Sequence, residues 1–141
     1  MYGPGSMTST HTGNPVCCAA ALAAINVLVD GGVLENAASV GKFLGDELEK
    51  IKRDYPDIFG ALHGRGMVHG LHIVKKGSME PDGELAHRIT DRAIKKGLML
   101  FAPVGAGGAT IKICPPLIID EEAVGDAILA LREAFEFETR A

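Results

Sequence analysis

The chain is 141 residues long, and its 14 basic and 18 acidic side chains are scattered in both signs for a formal charge of −4, which leaves no basic patch for nucleic acid. It has no run of about 20 apolar residues to span a bilayer and no charged start and apolar centre of a signal peptide, so a cytoplasmic protein without membrane contact is expected. Its three cysteines, Cys17, Cys18 and Cys114, are odd in number and two are adjacent, a pattern that fits neither a disulfide framework nor a zinc site.

The length allows one domain, or one domain with an attached piece of another, and a self-sufficient core. Hydrophobic residues make up 47% of the chain and aromatic ones only 5%, so apolar surface is left over for a partner. The chain opens with a hydroxyl-rich loop in which Ser6, Thr8, Ser9 and Thr10 precede His11. A helix start behind such a loop gathers unpaired N–H groups and the positive end of the helix dipole, which makes it a seat for phosphate or carboxylate. An ordinary capped loop has the same composition.

Asn14 as N-cap, Pro15 at the first helical position and the Gly31-Gly32 pair predict a helix over 15–30. Its many alanines let another backbone approach, and it fits better against a second body of protein than against a small sheet. A second helix is predicted from Leu34, with Ala37, Gly41, Leu44, Leu48, Ile51 and Tyr55 down one face until Pro56 stops it. "ALHGRGMVHGLHIV" then reads as one or two strands ending at Val74, and "KKGSMEPDG" as a polar turn. Asp82 caps a helix through "GELAHRITDRAIKK", with Leu85, Ile89 and Ala93 on one face. "LMLFA" and "TIKIC" read as strands around a tight turn in the glycine-rich "PVGAGGA". After Pro115-Pro116, Asp120 caps a last helix carrying Val124, Ile128, Leu131 and Phe135. This order predicts an α+β fold, a small sheet covered by helices on one side.

Few residues carry chemistry on their own spacing. His69 and His72 stand three apart in a predicted strand, so they point to opposite faces and cannot share a metal. His63 and His87 have no partner in sequence, and no nucleophile elbow or other catalytic arrangement is present. Lys112, between Ile111 and Ile113, faces opposite to its apolar neighbours and reads as an anion clamp, a lysine of lowered pKa or a solvated side chain. Arg65 between two glycines reads as an anion contact or an exposed turn.

Taken together, "STHTGNPVCCAAALAAINVL", "GVLENAASVGKFLGDELEKI", "LHGRGMVHGLHIV", "KKGLMLFAP" and "IKICPPLIIDEEAVGDAILALREAF" resemble, in order, the C-terminal part of class III pyridoxal-phosphate-dependent aminotransferases. The resemblance implies the small C-terminal domain of a fold type I transferase over 33–141, preceded over 1–32 by the tail of the large domain. It implies that Thr10, with Ser9 and the adjoining backbone, holds the phosphate of pyridoxal 5'-phosphate on the neighbouring subunit of a homodimer. The substrates implied are an amine or amino acid and an oxoacid.

Where the family has an arginine that forks onto the substrate carboxylate, this sequence has Lys112. A lysine offers a point charge instead of a bidentate fork, which points away from α-amino acids and toward amines or ω-amino acids. The family's cofactor-linking lysine and the aspartate that pairs with the pyridine nitrogen lie upstream of the motif that opens this chain. The resemblance therefore implies a C-terminal fragment with no catalytic residue of its own, inactive alone. The rival expectation is a non-catalytic α+β module that associates through its Ala-rich first helix.

Overall fold

The computed structural model describes Gly3 and residues 10–140, and the chain divides into two compact units, Met1–Leu34 and Glu35–Ala141. The first unit contains helix α1 (Pro15–Asp30). Asn14 Oδ1 accepts from the N–H groups of Val16 (3.0 Å) and Cys17 (3.2 Å), and Gly31 closes the helix by donating to Val27 O at 3.0 Å. Every residue of α1 is exposed.

Helix α2 (Val33–Asp54) leads into the second unit, followed by β1 (Phe59–Arg65), β2 (Val68–Ile73), α3 (Gly83–Lys95), β3 (Thr110–Ile113) and α4 (Glu121–Thr139). The strands form one antiparallel sheet in the order β1-β2-β3. The open reading of "ALHGRGMVHGLHIV" thus resolves into two strands joined by Gly66-Met67. Gly66, at φ +58°, adopts the left-handed backbone that a two-residue turn needs.

Alternation along the strands sends one face inward. His69, Leu71 and Ile73 of β2 and Ile111 and Ile113 of β3 are buried, while Val68, Gly70, His72, Thr110 and Lys112 on the other face are not. The buried face meets Val40, Leu44, Leu48 and Ile51 of α2, Ile89 of α3 and Leu131 and Phe135 of α4 in one cluster. Removing each large side chain of this cluster from water contributes about 1.5–3 kcal/mol. Phe135 is fully buried and stacks on Tyr55 and Phe59, with ring centroids 5.4 and 5.3 Å apart. At the rim, Arg88 and Arg92 converge on Glu138, and the Arg92 guanidinium lies 3.5 Å over the Phe137 ring.

Two expectations need correction. "LMLFA" is not a strand: Leu98 and Leu100 are half-buried and Met99 and Phe101 exposed, but the segment makes no ladder with β3, and Pro103 lacks a donor. Only the single bridge from Val104 to Thr110 crosses there, around a 3₁₀ turn at Ala106–Gly108. Leu34 keeps helical spacing yet is 54% exposed, and Val40, one turn on from Ala37, takes a core position instead.

Candidate functional site

Thr10 is exposed at the start of a turn that returns at Asn14, whose N–H donates to His11 O at 3.1 Å. Gly13, at φ +75°, permits the reversal. The helix behind the turn has no donor to spare. Pro15 has none, Val16 and Cys17 donate to Asn14 Oδ1, and Cys18 donates to Asn14 O at 2.9 Å. The helix end is therefore self-capped, and in the described part of the loop Thr10, His11 and Thr12 are exposed. Ser6, Thr8 and Ser9 lie outside the described residues.

Lys112 sits in the middle of β3, exposed, on the sheet face opposite to Ile111 and Ile113. It lines a groove of about 250 Å³ formed by Leu98–Phe101, Cys114–Pro116, Ile119 and Val124. The groove is apolar apart from the lysine. Asn36 on α2 donates to the carbonyls of Leu117 (2.8 Å) and Ile119 (2.9 Å), which fixes the chain after the two prolines and with it one groove wall. Strand alternation marks the lysine in the sequence but not the groove, whose only signal is the alternation in "LMLFA", the pattern of a strand.

The remaining candidates separate. His69 is buried, with Nε2 2.8 Å from Gly66 O, while His72 on the opposite face places Nδ1 3.0 Å from Thr110 Oγ1. They share no metal, and among the described residues no cluster of potential ligands is present. Arg65 lines a shallow depression with Lys42 and Asp46 of α2. Asp46 is held below the ordinary carboxylate range chiefly by the hydrogen bond from Lys42. His63, His87, Cys17, Cys18 and Cys114 are exposed.

Among the described residues no lysine is buried. Lys42, Lys50, Lys52, Lys75 and Lys96 are ion-paired with Asp46, Glu47, Glu49, Glu80 and Glu133. The hydrogen bond from Lys75 to Glu80 raises the pKa of that ammonium, which is the wrong direction for a nucleophilic amine.

The family model for class III aminotransferases matches residues 1–135. The chain belongs to the class III aminotransferase family. It is 34% identical over 134 residues to acetylornithine aminotransferase of Synechocystis, an alignment covering 95% of this chain and 29% of that protein. It is 35% identical over 132 residues to alanine/serine racemase of Pyrococcus horikoshii, covering 94% of this chain and 27% of the relative. A solved thermostable omega transaminase from Pseudomonas jessenii superposes with a TM-score of 0.77 at 28% identity, over 89% of this chain and 28% of that one. This class III chain thus spans less than a third of the length of these relatives.

Membership in the family implies pyridoxal 5'-phosphate. The Thr10 hydroxyl suits a phosphate and the Lys112 ammonium a carboxylate. Among the described residues no buried lysine stands ready for the cofactor's aldehyde.

Proposed function

We propose that these residues are the C-terminal portion of a pyridoxal-phosphate enzyme, a cytoplasmic homodimer that moves an amino group between an amine or amino acid and an oxoacid. Residues 1–32 act as the tail of the large domain and 33–141 as the small domain. The observation that carries this is the family match over 1–135 in a chain less than a third the length of its relatives.

In this reading Thr10, with Ser9 and the loop backbone, holds the cofactor phosphate of the neighbouring subunit, and Lys112 contacts the substrate carboxylate. The cofactor, when bound, supplies the electron-accepting ring that lets bonds at the amine-bearing carbon be broken. This chain contributes grip and orientation only, and alone it does not turn over.

Lys112 also bears on the substrate. A single ammonium does not fix a carboxylate plane as an arginine fork does, and the groove beside it is lined by methylene and ring surface. Amines and ω-amino acids are therefore preferred to α-amino acids. The test is turnover of alanine against an ω-amine by the longer protein that includes these residues. Faster turnover of the ω-amine is expected; a strong preference for alanine overturns the assignment.

The Pyrococcus racemase, at 35% identity, favours a second reading in which the same contacts serve inversion at an amino acid. Loss of optical rotation from L-alanine without any oxoacid acceptor distinguishes it.

A further inference from the structure

The open face of the sheet carries a row of three paired residues. His63 of β1 is opposite Gly70 of β2, and Gly70 is opposite Lys112 of β3. Directly paired residues share a face, so His63 and Lys112 stand on the same side with the glycine of the middle strand between them. Strand spacing holds their Cα atoms roughly 10 Å apart. Both side chains are exposed.

Gly70 leaves only a narrow gap, which the Thr110 methyl borders. A Cβ there would meet Thr110 Cγ2 at 3.1 Å, and Thr110 is oriented by its Oγ1 contact with His72 Nδ1 at 3.0 Å. The other residues on this face are Ala61, Arg65 and Val68, so no carboxylate stands on it among the described residues. Most of the other lysines are ion-paired, but neither Lys112 nor His63 has an ion-pair partner among the described residues. A carboxylate placed over Gly70 meets an ammonium from one side and a ring N–H from the other, two charge-assisted or polar donors on a glycine floor.

We propose that His63 is a second limb of the carboxylate contact assigned above to Lys112, so that the substrate carboxylate is held across Gly70 from two strands. This rests on the Lys112 reading and deepens it. Two donors from separate strands give the carboxylate a second point of contact but not the planar fork of an arginine, so the preference argued above stands. His63 is then a specificity-determining residue for carboxylate-bearing substrates.

The test is a titration of the isotope-labelled chain with succinate at constant ionic strength, followed by amide and imidazole resonances. Shifts are expected at His63, Gly70 and Lys112. His63→Ala and Lys112→Ala are each expected to weaken binding by about three- to tenfold, as exposed polar contacts do, while His87→Ala on α3 leaves it unchanged. All three side chains are exposed, so the rest of the spectrum reports whether each variant is folded. If Lys112→Ala weakens binding and His63→Ala does not, the second limb is refuted while the Lys112 contact stands. If the row does not shift, or neither variant changes the affinity, both are refuted.

Discussion

Gly41 and Gly125 both lie inside helices, and the structure predicts opposite effects for the same substitution. Replacing a helical glycine by alanine ordinarily stabilises by about 0.8–1 kcal/mol through the backbone. Around Gly125 in α4 nothing lies within 4 Å of the added methyl, so Gly125→Ala realises that gain. At Gly41 in α2 the methyl would stand 2.6–2.7 Å from the backbone of Gly66, in the turn between β1 and β2. That contact is backbone, not the far end of a flexible side chain, so relief requires the helix or the hairpin to move. Overpacking of this kind costs about 1–3 kcal/mol. Less the propensity gain, Gly41→Ala is predicted to destabilise by up to about 2 kcal/mol, and so to fall below Gly125→Ala by about 1–3 kcal/mol. Urea denaturation followed by circular dichroism measures both variants against the parent chain. A Gly41→Ala chain as stable as Gly125→Ala would refute the close approach of α2 to the turn.

Thr90 on α3 is 2% exposed and its hydroxyl has no hydrogen-bond partner. Thr90→Val keeps the branched shape and removes the desolvated oxygen, so a gain of about 1 kcal/mol in urea denaturation is expected; a loss contradicts it. Burial, then the nearby Glu136 and Asp54 carboxylates, raise the pKa of the Tyr55 hydroxyl. A folded pKa above the unfolded one contributes stability that is intact below about pH 10 and is lost as pH rises through the folded value. Tyr55→Phe, which retains the ring stacked on Phe135, should therefore lose less stability than the parent chain on passing to alkaline pH. A difference between the two chains that does not change with pH refutes this.

The helices were legible because their ends are local chemistry. Asn14, Asp82 and Asp120 cap α1, α3 and α4 with their own side chains, and the apolar spacing of Leu44, Leu48, Ile51, Val124, Ile128, Leu131 and Phe135 maps onto buried faces. The outward face of Lys112 followed from strand alternation alone. What was not legible depends on partners distant in sequence. Residues 98–102 have the alternation of a strand without a strand to pair with, so Leu98 and Leu100 pack while the backbone stays out of the ladder. The groove beside Lys112 needs α2, the 98–101 segment and the loop after Pro116 at once, and Asn36 reaches that loop from 81 residues away. The hydroxyl loop raised the expectation of a helix-end anion seat, yet Asn14 satisfies those donors itself, which leaves Thr10 exposed in the described part of the loop.

In the proposed reading this chain grips a pyridoxal-phosphate site from its edge and does not hold the lysine on which the chemistry is done. The most direct test is to mix the chain with pyridoxal phosphate, reduce with borohydride and locate adducts by mass spectrometry. Scattered, weak labelling spread over the exposed lysines is expected. One stoichiometric adduct, above all at Lys112, would contradict that reading.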